Sequence, residues 1–305
     1  MRKIALMSVA KLSSDPNWPR ANTLLTSTIS ELAIIGVPAS ATALSPTSAH
    51  LTPAAIREAL AKYSTYAGSN DTELQESGIT DLGDIESPDH EAGEARVASA
   101  VAGLLNKHKI LLALGGDNSI TYSVAAGIFP DLSKVGLITF DAHHDLRDGN
   151  SNGSPIWRLI EAGLPGENIV QIGLSDFANS GTYAKRAKTA GITTIHRAEL
   201  RDRKMSDVVA QALEIAGAEG REIYVDIDVD VCDRSVAPAC PASVPGGISA
   251  DELRQAANLI SRDSRVRAID ITEIDAVSDA ADGRTVRLAA LLVLEIAAGL
   301  AASQR

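Results

Sequence analysis

The sequence contains little cysteine, few basic residues and no long hydrophobic run. Only two cysteines, Cys232 and Cys240, occur in 305 residues, which excludes a disulfide framework, and they are too far apart for a CxxC motif. Lysine and arginine number 28 against 39 acidic residues, so the formal net charge is -11. This balance argues against a nucleic-acid or anionic-membrane partner, because both bind clustered Lys and Arg.

No apolar stretch approaches the roughly 20 residues that are needed to cross a bilayer. The Ala- and Leu-rich segment 287–302 carries Glu295 and is predicted to be a packed helix. Residues 1–7 have a basic start but only a short apolar run, so we expect no signal peptide. These absences predict a cytoplasmic protein with no membrane partner.

Short apolar runs alternate with helical patterns along most of the chain. Strands that alternate with helices form right-handed βαβ units, and several runs lack polar residues, as strands buried on both faces do. We therefore predict a single α/β domain over residues 1–305, with three αβα layers and a mostly parallel sheet. The predicted strands are 32–37, 110–114, 135–140, 169–174, 193–196, 222–227 and 266–271. The predicted helices are 53–62, 95–107, 154–162, 205–216 and 250–260.

Two polar segments, 40–52 and 70–94, interrupt this alternation. Both are rich in residues that favour turns and are predicted to be irregular. The first ends at Thr52, which we expect to be a helix N-cap because Pro53 follows it in the first turn.

Four of the predicted strands end in polar segments that carry carboxylates. The carboxyl ends of parallel strands lie on one edge of a sheet, where open α/β proteins bind ligands. So many carboxylates in one place would raise one another's pKa values unless a multivalent cation neutralised them. The segments are Gly115-Gly116-Asp117-Asn118-Ser119, Asp141-Ala142-His143-His144-Asp145, Asp226-Ile227-Asp228-Val229-Asp230 and Thr272-Glu273-Ile274-Asp275.

The spacing within two of these segments favours a metal centre. Alternate residues of an extended segment project to one side, so Asp141, His143 and Asp145 can converge with Asp228 and Asp230. Carboxylates with an imidazole suit a hard to borderline divalent ion, above all Mn²⁺, and two ions would lie roughly 3.5–4 Å apart. One such motif alone is equally compatible with a helix cap or a loop contact. Their joint occurrence at four strand ends favours the metal centre.

As a set, these motifs resemble the ureohydrolase superfamily of arginases, agmatinases and formimidoylglutamases. The resemblance implies an arginase-like fold and a metal-dependent hydrolase that cleaves a C–N bond in a linear amidine. It also implies a small-molecule substrate and a homo-oligomer, a trimer or a hexamer. The matching segments are LAIIGVP at 32–38, TPAAIREAL at 52–60, GGDNS at 115–119, DAHHD at 141–145, DVDVCDRSVAPACPASVP at 228–245 and DITEID at 270–275.

The same resemblance implies roles for single residues. Two metal ions would be bridged by Asp141 and Asp228. The full implied set of manganese ligands is Asp141, His143, Asp145, Asp228 and Asp230. Glu273 would hold the amidine group of the substrate, and Asp145 would relay a proton to the leaving nitrogen after a metal-activated water attacks. Asp226 has no counterpart among the ligands.

Position 118 departs from the family pattern. The histidine usual in the GGDHS motif is here Asn118, whose amide oxygen can bind a hard cation but is a weaker ligand than an imidazole nitrogen. We expect Asn118 to complete the first metal position, which then binds its ion loosely or is empty. The second position keeps all its expected ligands. Fe²⁺, Co²⁺ and Ni²⁺ can share such ligands with Mn²⁺.

The loop after the DAHHD motif bears on the substrate. Arginases carry a proton-shuttling histidine there, whereas residues 145–155 read DLRDGNSNGSP, which resembles formimidoylglutamases. This leaves Asn152 in the shuttle region, where we expect it to bind the substrate. Arg147 is predicted to bind a substrate carboxylate, although a surface ion pair is an equally good interpretation. The predicted substrate is N-formimidoyl-L-glutamate, hydrolysed to glutamate and formamide as in histidine breakdown. The alternatives are agmatine or another guanidino compound and, in a different class, a non-catalytic binding protein.

Overall fold

Nine parallel strands form the central sheet in the computed structural model, which describes residues 15–303. Their order across the sheet is β1-β5-β2-β6-β11-β10-β7-β8-β9, and β3 and β4 form a separate antiparallel pair. The strands are β1 (Leu25–Thr26), β2 (Leu32–Val37), β3 (Tyr66–Ala67), β4 (Thr72–Glu73), β5 (Ile79–Asp84), β6 (Ile110–Gly115), β7 (Val135–Phe140), β8 (Ile169–Leu174), β9 (Thr193–His196), β10 (Glu222–Asp228) and β11 (Val266–Thr272).

Eight α-helices cover the two faces of the sheet in this described range. They are α1 (Thr52–Leu60), α2 (Gly93–Val101), α3 (Ile120–Ile128), α4 (Pro155–Glu161), α5 (Gly181–Ala190), α6 (Met205–Ala216), α7 (Ala250–Ile260) and α8 (Arg284–Ala302). One hydrophobic core lies between the sheet and α1, α6, α7 and α8, and a second lies between the sheet and α2 to α5. The predicted single-domain, three-layer αβα fold is therefore confirmed. The predicted absence of a signal peptide concerns residues 1–7, which lie outside the described residues.

The alternation of side chains within the strands assigns residues to the two faces. In β10, Ile223, Val225 and Ile227 pack into the first core, whereas Tyr224 packs into the second. Asp226 therefore lies on the same side of the sheet as Tyr224. The side chains of this face continue past the end of the strand, so it is the face on which the strand-end carboxylates are placed.

All seven predicted strands are confirmed, with differences of one residue at the ends of three. The helices predicted at 205–216 and 250–260 have the predicted bounds. At the start of the latter, Ser249 and Glu252 form a reciprocal capping box, which satisfies two backbone N–H groups that lack partners within the helix. The helix predicted at 95–107 is shorter, because Gly103 adopts a left-handed φ of 75° and a 3-10 turn follows.

Several elements were not predicted. β5 lies within the segment that was predicted to be irregular, and its second half is largely exposed and polar, so it lacks the buried-strand pattern. α5 exposes most of its polar residues and buries only Ala187, which leaves little helical periodicity to detect. The N-cap prediction for Thr52 is wrong: Thr52 is the first residue of α1, and its hydroxyl donates a hydrogen bond to the carbonyl of Ile274.

The helix predicted in the C-terminal segment is confirmed as α8. The expectation that no apolar stretch approaches the length of a membrane span is wrong for this helix, whose 19 residues and mean hydropathy of 1.9 are sufficient by length and composition. It is largely buried within the fold, as the core helix of a soluble protein can be. It packs against α1 and α7, and its Glu295 forms an ion pair with Arg254 of α7 at 2.7 Å. The helix therefore acts as a core element.

Candidate metal centre and active site

The four strands whose ends carry the predicted functional residues are neighbours in the sheet. β6, β11, β10 and β7 lie side by side at its centre. Asp228 at the end of β10 pairs in register with Thr272, and Ile227 pairs with Phe140 at the end of β7. The segments that follow these strands therefore meet at one edge, as the sequence predicts.

A first group of potential ligands consists of Asp141, His143 and Asp230, whose ligand atoms all lie within 4.8 Å of one another. His143 Nδ1 is 2.7 Å from Asp230 Oδ2 and 3.5 Å from Asp141 Oδ1. The backbone N–H of Ala142 donates to Asp230 Oδ1 at 2.9 Å. These contacts fix the two carboxylates around the imidazole.

A second group of potential ligands shares Asp141 with the first. Asp141, Asp145 and Asp228 place carboxylate oxygens within 4.8 Å of one another, and all three are buried. Asp141 Oδ2 is buried and has no hydrogen-bond partner. A buried carboxylate oxygen without a donor is costly, and a cation would satisfy it. Two oxygen-rich groups with a common aspartate fit a pair of divalent cations of the manganese type.

The electrostatics of the centre also favour a cation. Burial, followed by the charges of Asp145 and Asp230, raises the pKa of Asp141 well above its usual value. Burial raises the pKa of Asp145 to about 7, and burial with the charge of Asp230 raises that of Asp228. Without a counter-ion, three neighbouring carboxylates therefore resist ionisation.

His143 is the positive partner within this group. Burial lowers the pKa of His143, but the charges of Asp230, Asp145 and Asp228 outweigh that effect and raise it to about 10. For Asp230 the two effects have the opposite signs. Burial raises its pKa, but the charge of His143 has the larger effect, so the pKa of Asp230 lies below its usual value. The imidazole thus carries the charge that a divalent ion would otherwise provide.

Glu273 lies beside the metal ligands and is held by two donors. Its Oε1 accepts the backbone N–H of Asn118 at 2.7 Å and the side-chain N–H of Asn152 at 2.9 Å. Burial raises its pKa to about 8. Glu273 has a φ of 65° and Asp145 a φ of 52°, a region that costs a non-glycine residue roughly 1–3 kcal/mol. The direction of both acidic side chains is therefore set by a strained backbone conformation.

The predicted substrate residues line one cavity with these groups. The cavity has a volume of about 320 Å³, and its walls include Arg147, Asn152, His143, Asp145, Asp228, Asp230 and Glu273. Arg147 is exposed, its backbone N–H donates to the carbonyl of Gly153, and its positive charge acts to lower the pKa of Asp145, against the larger effect of burial. Both polar atoms of the Asn152 side chain are hydrogen-bonded, because Nδ2 donates to Glu273 and Oδ1 accepts the backbone N–H of Leu44. Asn152 therefore positions Glu273, and Arg147 is free to meet a ligand.

Asn118 is buried beside Asp145, with its nitrogen facing the carboxylate. Nδ2 donates to Asp145 Oδ2 at 2.7 Å, and Oδ1 accepts hydroxyl groups of Thr121 and Thr272. Asn118 thus lies beside Asp145, a residue of the predicted first position, with its amide oxygen turned away from that carboxylate.

Sequence reasoning missed the residues that hold the DAHHD segment in place. The side-chain oxygen of Gln171 in β8 accepts a hydrogen bond from His144 Nδ1 at 2.7 Å, and its side-chain nitrogen donates to the His144 carbonyl. Asn179 accepts the His144 N–H and donates to the Ala142 carbonyl. A buried glutamine in an otherwise apolar strand was the signal available in the sequence. Cys240 is buried with its sulfur near Asp228 and Asp230.

Comparison with known proteins identifies the fold and the family. The model of the arginase family matches residues 30–299. The chain belongs to the arginase family. This confirms the resemblance of the motifs and, with it, an enzyme that hydrolyses C–N bonds in linear amidines.

Relatives of this arginase-family chain include two bacterial formimidoylglutamases. That of Halalkalibacterium halodurans is 35% identical over 275 residues, covering 87% of this chain and 86% of the relative. The crystal structure of the Bacillus subtilis formimidoylglutamase is 31% identical, with a TM-score of 0.89 over 97% of this chain and 96% of that one. A Trypanosoma cruzi formiminoglutamase solved with Mn²⁺ shares the fold, with 23% identity and a TM-score of 0.84 over 93% and 99% of the two chains.

Proposed function

We propose that this enzyme hydrolyses N-formimidoyl-L-glutamate to L-glutamate and formamide in a manganese-dependent reaction. The observation that carries the proposal is the pair of ligand groups sharing Asp141 next to Glu273, in a chain 31–35% identical to formimidoylglutamases over most of its length. Water adds to the amidine carbon, the bond from that carbon to the glutamate nitrogen breaks, and a proton passes to the leaving nitrogen.

The metal positions follow from the ligand groups. We assign the first to Asp141, Asp145 and Asp228, and the second to Asp141, His143 and Asp230, and the family resemblance adds Asp228 to the second. When bound, manganese would act as a Lewis acid and lower the pKa of a water molecule, as divalent ions do in hydrolases. The manganese found with the Trypanosoma cruzi formiminoglutamase supports the choice of metal.

The protein side chains then orient the substrate and move its proton. Glu273, fixed by Asn118 and Asn152, would accept hydrogen bonds from the amidine nitrogens and favour their cationic form. Asp145 lines the same cavity and would carry a proton to the leaving nitrogen. Arg147, at the cavity wall without a side-chain partner, would form a bidentate pair with a substrate carboxylate.

Metal content and activity, measured together, test this function. The purified enzyme is stripped of metal, reloaded with Mn²⁺ and assayed for formamide release from N-formimidoyl-L-glutamate, and for urea release from agmatine and arginine. We expect formamide release only. Urea release from agmatine would indicate a guanidino substrate instead, and inertness towards all three with no Mn²⁺ bound would indicate a non-catalytic relative.

Replacement of Arg147 tests recognition of the carboxylate. R147A should raise KM for N-formimidoyl-L-glutamate by roughly 10- to 100-fold, because a charge-assisted hydrogen bond contributes about 1.5–3 kcal/mol. The value of kcat should change much less. R147K should recover part of the loss, and R287A, at an exposed arginine of α8, is the matched control. An unchanged KM in R147A would exclude the role.

Assembly and location remain proposals from the resemblance. We propose a homo-oligomer, a trimer or a hexamer, located in the cytoplasm. Light scattering on the eluted protein tests the first statement, and fractionation of the source cells tests the second.

A further inference from the structure

Arg147 lies where the chain leaves the core and enters a surface loop. Leu146, directly before it, is fully buried in the second core, whereas residues 147–150 are exposed. The backbone N–H of Arg147 donates to the carbonyl of Gly153 at 3.0 Å, which closes the loop. Apolar packing therefore ends at Leu146, and the place of Arg147 depends on polar contacts.

Arg186 of α5 supplies such contacts on both sides of Arg147. Its Nη1 donates to the carbonyl oxygen of Leu146 at 2.6 Å and to Asp148 Oδ1 at 2.8 Å. One guanidinium nitrogen carries two hydrogens, so it can make both bonds. Hydrogen bonds from an ionised donor are shorter and stronger than neutral ones. We call this arrangement, formed by Arg186 with the two chain neighbours of Arg147, the Arg186 bracket.

The Arg186 guanidinium is itself held by an aromatic side chain. Its central carbon lies 4.3 Å from the centroid of the Trp157 ring system in α4, within the range of a cation–π contact. The backbone N–H of Trp157 donates to the carbonyl of Asp145 at 3.2 Å. The support under Arg186 is therefore fixed to the start of the same loop.

The stem of the Arg147 side chain lies against Gly153. A Cβ atom at Gly153 would be 2.7 Å from Arg147 Cδ and 3.0 Å from Arg147 Nε, so a side chain at this position would displace the stem. Arg147 and Gly153 both line the 320 Å³ cavity, together with Asp145 and Glu273. The bracket thus holds the backbone of Arg147, and Gly153 leaves room for its side chain along the cavity wall.

We propose that Arg186 is a positioning residue, which holds Arg147 in place before substrate binds and so lowers KM for a substrate with a carboxylate. The inference rests on the proposed role of Arg147 in binding that carboxylate. A side chain that is already ordered binds without a further loss of conformational freedom. Arg186 bonds to the loop and not to the acidic groups of the centre, so it should affect KM and leave kcat nearly unchanged.

Steady-state kinetics of R186M with N-formimidoyl-L-glutamate test the proposal. Methionine keeps an apolar stem beside Trp157 but cannot donate a hydrogen bond. We expect KM to rise roughly 2- to 10-fold, the usual effect of one side chain that must be ordered on binding. R186K should recover much of the loss, because an ammonium group can donate to both acceptors. The Arg186 side chain is partly exposed, so R186M should fold, and its urea midpoint checks this.

A double-mutant cycle with R147A separates positioning from general damage. If Arg186 acts through Arg147, R186M should raise KM in wild type and leave it unchanged in the R147A background. An equal rise in both backgrounds would overturn the proposal. The matched control is K185M, which removes one positive charge from the preceding, exposed residue of α5. It should leave KM unchanged.

Trypsin cleavage measures the bracket without substrate or metal. The peptide bond after Arg147 is a trypsin site, and its cleavage requires local opening of the loop. With chelator present, R186M should be cleaved there roughly 10-fold faster than wild type, because opening breaks fewer charge-assisted hydrogen bonds. K185M, which also loses one trypsin site, should be cleaved at the wild-type rate. Mass spectrometry of the fragments identifies the cleaved bond.

The two measurements distinguish failure of this proposal from failure of the proposed function. Equal cleavage of R186M and wild type would overturn the proposal, as would faster cleavage with an unchanged KM. Faster cleavage of R186M, in an enzyme that is inert towards N-formimidoyl-L-glutamate, would support the bracket and refute the proposed substrate.

Discussion

Removal of the metal should make the stability of this enzyme fall as the pH rises from about 5 to about 8. Asp145 and Glu273 have usual pKa values of 3.8 and 4.5, which burial raises to about 7 and about 8 in the folded state. Between these limits the folded chain holds protons that the unfolded chain has released. The stabilisation from these protons is therefore complete below the pKa values of the unfolded chain and is lost as the pH rises through the pKa values of the folded chain.

The expected magnitude is large compared with the stability of a typical domain. One pKa unit corresponds to about 1.4 kcal/mol, so Asp145, whose pKa in the folded state is about 7, alone accounts for a loss on the order of 3 kcal/mol between pH 5 and pH 7. Domains are usually stable by only about 5–15 kcal/mol. Bound Mn²⁺ should reverse the trend, because a metal ion binds the deprotonated carboxylates.

Urea unfolding at pH 5, 6.5 and 8, with chelator and with Mn²⁺, measures this effect. The midpoint should fall with pH in chelator and should not fall with Mn²⁺. E273Q should make the decline in chelator shallower, since it removes one of the titrating groups. No measurement is made below pH 5, because Glu94, whose pKa is lowered by its hydrogen bonds with Arg158, would become protonated in more acidic solution and its stabilising contribution would be lost. Equal stability at pH 5 and pH 8 in chelator would refute the reasoning.

Two further substitutions have defined effects on stability. D226N should stabilise the enzyme by roughly 1–3 kcal/mol at pH 8 in urea unfolding, because neither Asp226 oxygen has a partner, and burial and the charge of Asp270 raise its pKa well above the usual value; destabilisation would contradict this. G299A should cost roughly 2–4 kcal/mol by the same assay, since the added Cβ would lie 2.2 Å from the carbonyl oxygen of Asn258. An unchanged midpoint would show that α7 and α8 can separate.

The convergence of the candidate metal ligands could be predicted because each is part of a short motif at a strand end. Asp141, His143 and Asp145 are separated by single residues, and the parallel sheet brings them to Asp228 and Asp230. The central strands could also be predicted, because they are apolar on both faces. β5 and α5 were missed because exposure removes that pattern.

The orientation of side chains within the site could not be predicted. Asn118 Oδ1 accepts a hydrogen bond from Thr272, which lies 154 positions away along the chain. The side chain of Asn152 is hydrogen-bonded to Glu273 and to the backbone of Leu44. Such contacts follow from which strands lie adjacent in the sheet, which is not a local property of the chain.

The strand order also constrains synthesis on the ribosome. β6 and β7 follow each other in the chain, yet β11 and β10 lie between them in the sheet. A nascent chain that has completed β6 and β7 must keep them apart, or let them separate again, until both later strands emerge. Glu273 is among the last residues of the site to be made. The proposed metal centre therefore cannot be complete before these later strands are made, and we expect metal insertion to be a late step, close to the completion of the sheet.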